Sequence, residues 1–212
     1  MTITVDALLP LSFLEAVRSV DSPDDLDAEF VPELRNKRLG LSDTVYAQAR
    51  RYADAAKKHQ RVDQDEAVGI AKLIGRRPDA EAVFRVAGRY LAEQTYLAIP
   101  STKRGLILSL PSLLARPIAL RQTQRIATRY INGTVRRHGS FLMLEVAHST
   151  TADSAPQGHG CAYYQSFLRE LLALLGASGG AVDHVRCVSR QESTCEWRAE
   201  WRSIQKPIEE QR

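Results

Sequence analysis

The chain has 212 residues, of which 44% are apolar and 25% charged, so it can bury a globular core and is neither fibrous nor disordered. A formal net charge of +4 is too small to predict a nucleic-acid partner. No apolar run approaches the ~18 residues that cross a bilayer, and the first residues lack a signal-peptide pattern. Together with an odd number of cysteines, three, these features predict a cytoplasmic protein with neither a membrane span nor a disulfide framework.

Apolar residues recur at helical spacing throughout the first half of the chain, and the breaks between them carry Pro, Gly and Asp. Ser42 or Asp43 is expected to cap the second helix, because short polar side chains accept hydrogen bonds from the first turn. The pattern predicts a helical N-terminal region over residues 1–100, with helices at 8–20, 42–59, 63–74 and 79–97.

The middle of the chain contains eight positive charges and no acidic residue between Glu93 and Glu145. A helix predicted at 117–131 places three arginines on one face, because residues four apart are neighbours on a helix. This face is either an ordinary solvated surface or a docking site for an acidic surface of a protein, an anionic lipid or a nucleic acid. The three residues are Arg121, Arg125 and Arg129.

After Asn132-Gly133 the apolar period changes from 3.6 to 2, which is typical of strands. Gly176 is expected to end the helix in this half of the chain. The predicted elements are strands at 134–137 and 141–146, a mobile loop at 150–160, a helix at 163–175, and strands at 181–189 and 194–202. The sequence therefore predicts an α+β fold, in which the helical half packs on a small antiparallel sheet formed within region 101–212.

All three cysteines, Cys161, Cys187 and Cys195, lie in the last quarter of the chain together with His184. A hairpin would bring Cys187 and Cys195 together, and Cys161 precedes a helix whose N-terminus favours a thiolate. His184 is three residues before Cys187, so a regular strand would place the two on opposite faces. Shared ligation therefore requires a bulge or a strand end between them.

Three cysteines and one histidine are the ligand set of a closed structural zinc site, so Cys161, His184, Cys187 and Cys195 are the candidate ligands. The alternatives are small buried cysteines beside a hydrogen-bonded histidine, or a disulfide between Cys187 and Cys195 formed on isolation. His159 is a second candidate for the fourth ligand. No common catalytic motif is present, and no catalytic residue is assigned.

A family resemblance rests on Gly160-Cys161, on the following helix, and on the segments 182–187 and 194–197. These resemble the C-terminal half of 4-vinyl-reductase-type domains, found in bacteriochlorophyll-pathway proteins and phenol-sensing activators. The ligand steps of 23, 3 and 8 positions match the sensor spacing. His184 stands where the sensors carry Glu, and residues 190–193 replace their Gly-Asp turn. The segments 38–41 and 114–130 are similar to uncharacterised standalone proteins of myxobacterial type.

The resemblance implies a fold related to trafficking-complex subunits, a zinc near a ligand pocket, and a homodimer. It therefore implies a non-enzymatic sensory module for a small hydrophobic or aromatic molecule. The alternatives are an adaptor that uses the basic face and, less favoured, an enzyme of tetrapyrrole metabolism. Residues expected to line the pocket, or else simply to fill the core, are Phe141, Met143, Tyr163, Tyr164, Phe167 and Trp197.

Overall fold

The computed structural model describes residues 2–22, 39–176 and 180–201. The helices in these residues are α1 (Leu8–Asp21), α2 (Asp43–Lys57), α3 (Gln64–Ile74), α4 (Ala80–Leu97), α5 (Ser101–Ser109), α6 (Ser112–Ile131) and α7 (Ala162–Leu174). The strands are β1 (Thr4–Asp6), β2 (Arg61–Asp63), β3 (Thr134–His138), β4 (Phe141–Val146), β5 (Val182–Arg186) and β6 (Cys195–Glu200). The predicted α+β fold is confirmed. Residue 38 of the N-terminal resemblance and residue 202 of the last predicted strand lie outside the described residues.

The four predicted N-terminal helices are present as α1 to α4. Ser42 caps α2, because its hydroxyl accepts a hydrogen bond from the Val45 amide at 3.3 Å. Asp63 caps α3 in the same way through the Asp65 amide, at 3.0 Å. Short polar side chains at these starts satisfy amides that have no partner within the helix, so local sequence defines both boundaries.

Three features of the helical part of the chain were not predicted: a short β-ribbon, helix α5 and the start of helix α6. Strands β1 and β2 form a two-stranded antiparallel ribbon, and each is three residues long, too short to show an alternating pattern. Helix α6 begins at Ser112 rather than at Pro117, so the proline lies inside the helix. Proline favours the first turn of a helix, which is why the sequence alone placed the start there.

The strands of the C-terminal half form a four-stranded antiparallel sheet with the order β3-β4-β6-β5, and the sequence predicted a sheet of this kind. Helix α7 packs on the face of this sheet that bears Trp197, and α4 packs on the other side of α7. One hydrophobic core contains residues from Val5 to Trp201. The predicted regions 1–100 and 101–212 therefore share a single core.

The segment 150–160, expected to be a mobile loop, is packed against the protein. Thr150, Thr151 and Ala152 are buried, and the Thr151 hydroxyl donates to the Gly160 carbonyl at 2.7 Å. A Cβ atom at Gly160 would lie 1.9 Å from the Thr151 carbonyl oxygen, so only glycine permits this approach. Small polar residues are typical of exposed loops, but here their size allows close packing.

Candidate metal centre

The four candidate ligands lie at the start of α7, on or just after β5, and at the start of β6. Cys161 immediately precedes α7, His184 lies on β5, Cys187 follows β5, and Cys195 begins β6. Their ligand atoms all lie within 4.8 Å of one another. The cysteines are buried and His184 is half-buried. The structure therefore brings together the residues that the sequence selected.

A β-bulge in β5 explains how His184 and Cys187 can face the same site although they are three residues apart. In the pairing of β5 with β6, His184 is opposite Trp197 and Arg186 is opposite Glu196, so Val185 is an extra residue. Such a residue shifts the alternation of side chains along the strand. The bulge lies between His184 and Cys187, where shared ligation requires one.

The turn after β5 holds the two hairpin cysteines in place. The Val188 amide donates to the Cys195 sulfur at 3.4 Å, and the Cys187 amide donates to the Glu192 carboxylate at 2.5 Å. A short 3-10 helix, Val188–Arg190, forms this turn and ends at Gln191 in the left-handed conformation, with φ of 66°. Amide donation to a sulfur stabilises a thiolate, which is the metal-binding form of cysteine.

The pKa values of the Cys161 and Cys195 thiols are shifted in opposite directions. The hydrogen bond from Cys161, with further ones from His184 and the Val188 amide, lowers the pKa of Cys195 below its ordinary value despite burial. The hydrogen bond to Cys195 and burial together raise the pKa of Cys161. Without a metal ion, these contacts favour the thiolate form at Cys195 over Cys161.

All three cysteines are free in this structure. The Cys161 and Cys187 sulfurs are 3.4 Å apart. Zinc–sulfur bonds of about 2.3 Å in a tetrahedron place sulfurs about 3.8 Å apart. The separations are therefore close to those that a tetrahedral ion requires.

One ring nitrogen of His184 lacks a hydrogen-bond partner in the described part of the chain. This atom, Nε2, is buried. The ring stacks on Trp197, with centroids 4.9 Å apart and planes 12° from parallel, so its orientation is fixed. A buried nitrogen without a partner is costly, and coordination to a metal would satisfy it. The donor set thus fits a metal ion such as zinc.

His159, the second candidate for the fourth ligand, lies outside this group. Its Nε2 atom is 3.9 Å from a carboxylate oxygen of Glu81, and its side chain is 40% exposed. The histidine is near Cys161 in sequence, but the 3-10 helix Pro156–Cys161 directs it toward α4 instead.

The six residues expected to line one pocket are divided between the two faces of the sheet. Along β4, Leu142 and Leu144 are buried on the face that α7 covers, whereas Phe141 and Met143 are half-buried on the opposite face. Arg198 lies over the Phe141 ring on that outer face, 5.2 Å from its centre. The expectation of one pocket lined by all six is therefore wrong, because neighbouring strand residues alternate in direction.

The four remaining pocket candidates form a buried aromatic cluster in the core. Ring centroids are 5.0 Å apart between Tyr163 and Tyr164, and 5.0 Å between Tyr164 and Trp197. The Tyr163 hydroxyl pairs with Ser12 at 3.1 Å, and the Tyr164 hydroxyl pairs with Thr150 at 2.9 Å. Fully buried side chains in the cluster are Tyr163, Tyr164, Phe167 and Trp197. These rings pack against one another and against the core.

The predicted basic face is present on α6. Arg121 and Arg125 are exposed, and Arg129 is half exposed with its Nε atom 3.8 Å from the Asp6 carboxylate. The guanidinium of Arg129 also lies over the Tyr130 ring, 5.2 Å from its centre. The first two arginines are therefore the more accessible part of this face.

An open cleft of about 740 Å³ lies beside the metal-ligand group and was not predicted. Its walls are the end of α3, the segment 152–158 and the turn after β5, and two candidate ligands, His184 and Cys187, contribute to its lining. These segments are far apart in sequence, and none has a sequence pattern that predicts a binding site. The position of Cys187 near the end of a predicted strand was the one signal that pointed to this region.

A scan against family models found no match for the chain, and a search of curated proteins found no similar sequence. The resemblance to 4-vinyl-reductase-type domains therefore stays a prediction. No helix in the described part of the chain is both long and apolar enough to span a membrane.

Proposed function

We propose that the protein is a non-enzymatic module that binds a small molecule and is held together by a structural zinc ion. The observation that carries this proposal is the convergence of four ligand atoms within 4.8 Å. Cysteine sulfur and histidine nitrogen are the donors that zinc prefers in structural sites. The zinc would join α7 to the hairpin formed by β5 and β6.

A structural role is favoured over a catalytic one by the number of protein ligands. Catalytic zinc sites keep one position for water or substrate, whereas four protein ligands close the tetrahedron. Zinc in this site would stabilise the folded state, because its ligands meet only when the helix and the hairpin are in place.

The resemblance to 4-vinyl-reductase-type domains supports a ligand-binding role. It implies a small-molecule site close to zinc, and a cleft lies directly beside the metal-ligand group. The buried aromatic cluster is less suited to this role, because its four side chains pack on one another and are fully buried. We therefore assign the ligand site to the cleft.

Two histidine variants test the ligand set. We expect wild-type protein to hold one zinc per chain, and His184→Ala to lower zinc affinity at least tenfold, because one of four bonds is lost. His159→Ala is the matched control and should leave zinc affinity unchanged, since His159 faces Glu81. Competition with a chromophoric chelator measures both. Loss of zinc in His159→Ala with retention in His184→Ala would contradict the assignment.

A further inference from the structure

The cleft beside the metal-ligand group has an uneven charge. Three basic side chains line it, Lys72 and Arg76 from the end of α3 and Arg190 from the turn after β5, against a single acidic one, Asp153. None of the three cations forms an ion pair with a described residue. Their charges therefore remain available to a ligand.

The positive charge persists when zinc is taken into account. Zinc with three thiolates and a neutral histidine has a formal charge of −1, and Asp153 adds another. Three cations still exceed the two together. Arg76 follows α3 and Arg190 lies in the turn after β5, so the cations come from two separate walls of the cleft.

The walls of the cleft approach one another at two glycines, and one of these approaches is a close backbone contact. A Cβ atom at Gly75 would lie 1.8 Å from the Ser154 carbonyl oxygen, so α3 touches the segment 152–158 directly. A Cβ atom at Gly158 would lie 3.9 Å from the Ser189 hydroxyl, so this segment also faces the turn after β5. The cleft is therefore built from segments that support one another.

We propose that this cleft binds a small organic phosphate. A phosphate group offers three terminal oxygens that accept hydrogen bonds, and guanidinium groups donate paired hydrogen bonds to such oxygens. A cleft of about 740 Å³ is larger than a phosphate ion and falls within the range of small-molecule sites. Ala152, Ala155 and Pro156 provide apolar surface for the remainder of the ligand.

This inference rests on the proposed function and specifies its ligand. It differs from the neutral phenol-like ligand that the family resemblance implies, because basic side chains outnumber acidic ones in the lining of the cleft. The phosphate would lie against the outer side of the hairpin that carries Cys187, with Arg190 three residues beyond that cysteine. The bound ligand would therefore contact the β5–β6 hairpin, which zinc joins to α7.

The test compares phenyl phosphate with phenol, which share the same ring and differ in the phosphate. Zinc-loaded full-length protein is titrated with each at low ionic strength, and binding is followed by NMR chemical shifts. We expect phenyl phosphate to bind at least tenfold more tightly than phenol. Phenol binding as tightly as phenyl phosphate, or an absence of phenyl phosphate binding, would overturn the proposal.

Two double variants with the same loss of charge locate the site. Arg76→Gln with Arg190→Gln should weaken phenyl phosphate binding at least tenfold, because two charge-assisted contacts are lost. Arg121→Gln with Arg125→Gln removes the same charge from α6 and should change the affinity less than twofold. Equal weakening in both double variants would mean unspecific attraction and would overturn the proposal.

The zinc content of each protein separates this inference from the proposed function. Protein that holds one zinc and binds no phenyl phosphate would refute the cleft and leave the zinc site standing. Protein that binds phenyl phosphate through Arg76 and Arg190 without zinc would refute the zinc site and support the cleft. Neither arginine is a candidate ligand, so both double variants should keep their zinc.

Discussion

At the scale of single residues, a buried ion pair joins the end of α1 to the segment before α4. The Asp21 carboxylate accepts hydrogen bonds from Arg77 at 2.7 and 3.0 Å, and its side chain is 5% exposed. Arg77 also binds Asp79 at 2.8 Å, and Asp21 accepts from the Gly40 amide at 2.8 Å. These contacts tie together segments that are 56 residues apart.

Replacing Asp21 should therefore lower the free energy of unfolding. Asp21→Asn leaves the buried guanidinium with one charged partner fewer and should lower the free energy of unfolding by about 2–3 kcal/mol. Asp183→Asn is the control, because its ion pair with Arg198 lies at the surface and should contribute less than about 1 kcal/mol. Urea unfolding at neutral pH measures both, and equal losses would contradict the account.

The same carboxylate gives the comparison a pH dependence. Burial raises the pKa of Asp21, but the hydrogen bonds from Arg77 and Gly40 lower that pKa by more than burial raises it. The folded-state pKa is therefore below its ordinary value. A lowered pKa contributes stability above the unfolded-state value of about 3.9, and that contribution is lost as pH falls through the folded-state pKa. The difference in stability between wild type and Asp21→Asn should therefore shrink as the pH falls from 7 to 3.

The sequence identified the metal-ligand residues better than it identified this ion pair. Cysteines are rare, so the spacing of Cys161, Cys187 and Cys195 is informative by itself. Charged residues are common, and nothing in the sequence relates Asp21 to Arg77. The requirement for a bulge after His184 followed from strand geometry, but its position at Val185 was visible only in the structure.

At the scale of elements, α4 and α7 cross closely at Gly88. A Cβ atom there would lie 2.2 Å from the Tyr163 carbonyl oxygen and 2.9 Å from the Phe167 amide nitrogen, and both are backbone atoms that cannot rotate away. The absence of a side chain at Gly88 thus lets α4 lie against α7, which carries the aromatic cluster and follows Cys161.

An added methyl group should therefore separate the two helices. Gly88→Ala should lower the free energy of unfolding by about 1–3 kcal/mol, because the helices must move apart. Gly69→Ala is the matched control within α3, since a Cβ there has no neighbour within 4 Å. It should instead stabilise the protein by about 0.5–1 kcal/mol through helix propensity. Chemical unfolding measures both, and stabilisation by Gly88→Ala would contradict the described packing.

Most elements could be predicted because each has a clear apolar period. Helix α5 lacks one, because Leu106, Ile107 and Leu108 are consecutive apolar residues, of which only Ile107 is buried. Such a run shows neither the helical nor the strand period. Strand β4 is apolar on both faces, because Phe141 and Met143 lie on its outer face. The sequence therefore could not show which face α7 covers.

At the scale of the whole molecule, one core contains residues from nearly the full described length, and the metal-ligand group lies at its edge. Cys161, Cys187 and Cys195 belong to that core together with the residues of α1 and α4. The sequence predicted the α+β class and the order of the elements in the C-terminal half. The cleft could not be predicted, because it depends on how α3 meets segments almost 80 residues later in the chain.

The central claim is that the protein holds one structural zinc ion. Native mass spectrometry of protein purified without chelator under mild reduction tests it most directly. The account predicts a mass excess of one zinc per chain in the wild type and none in Cys187→Ser, because that variant removes a sulfur ligand. A wild-type chain with three free thiols and no metal would contradict it.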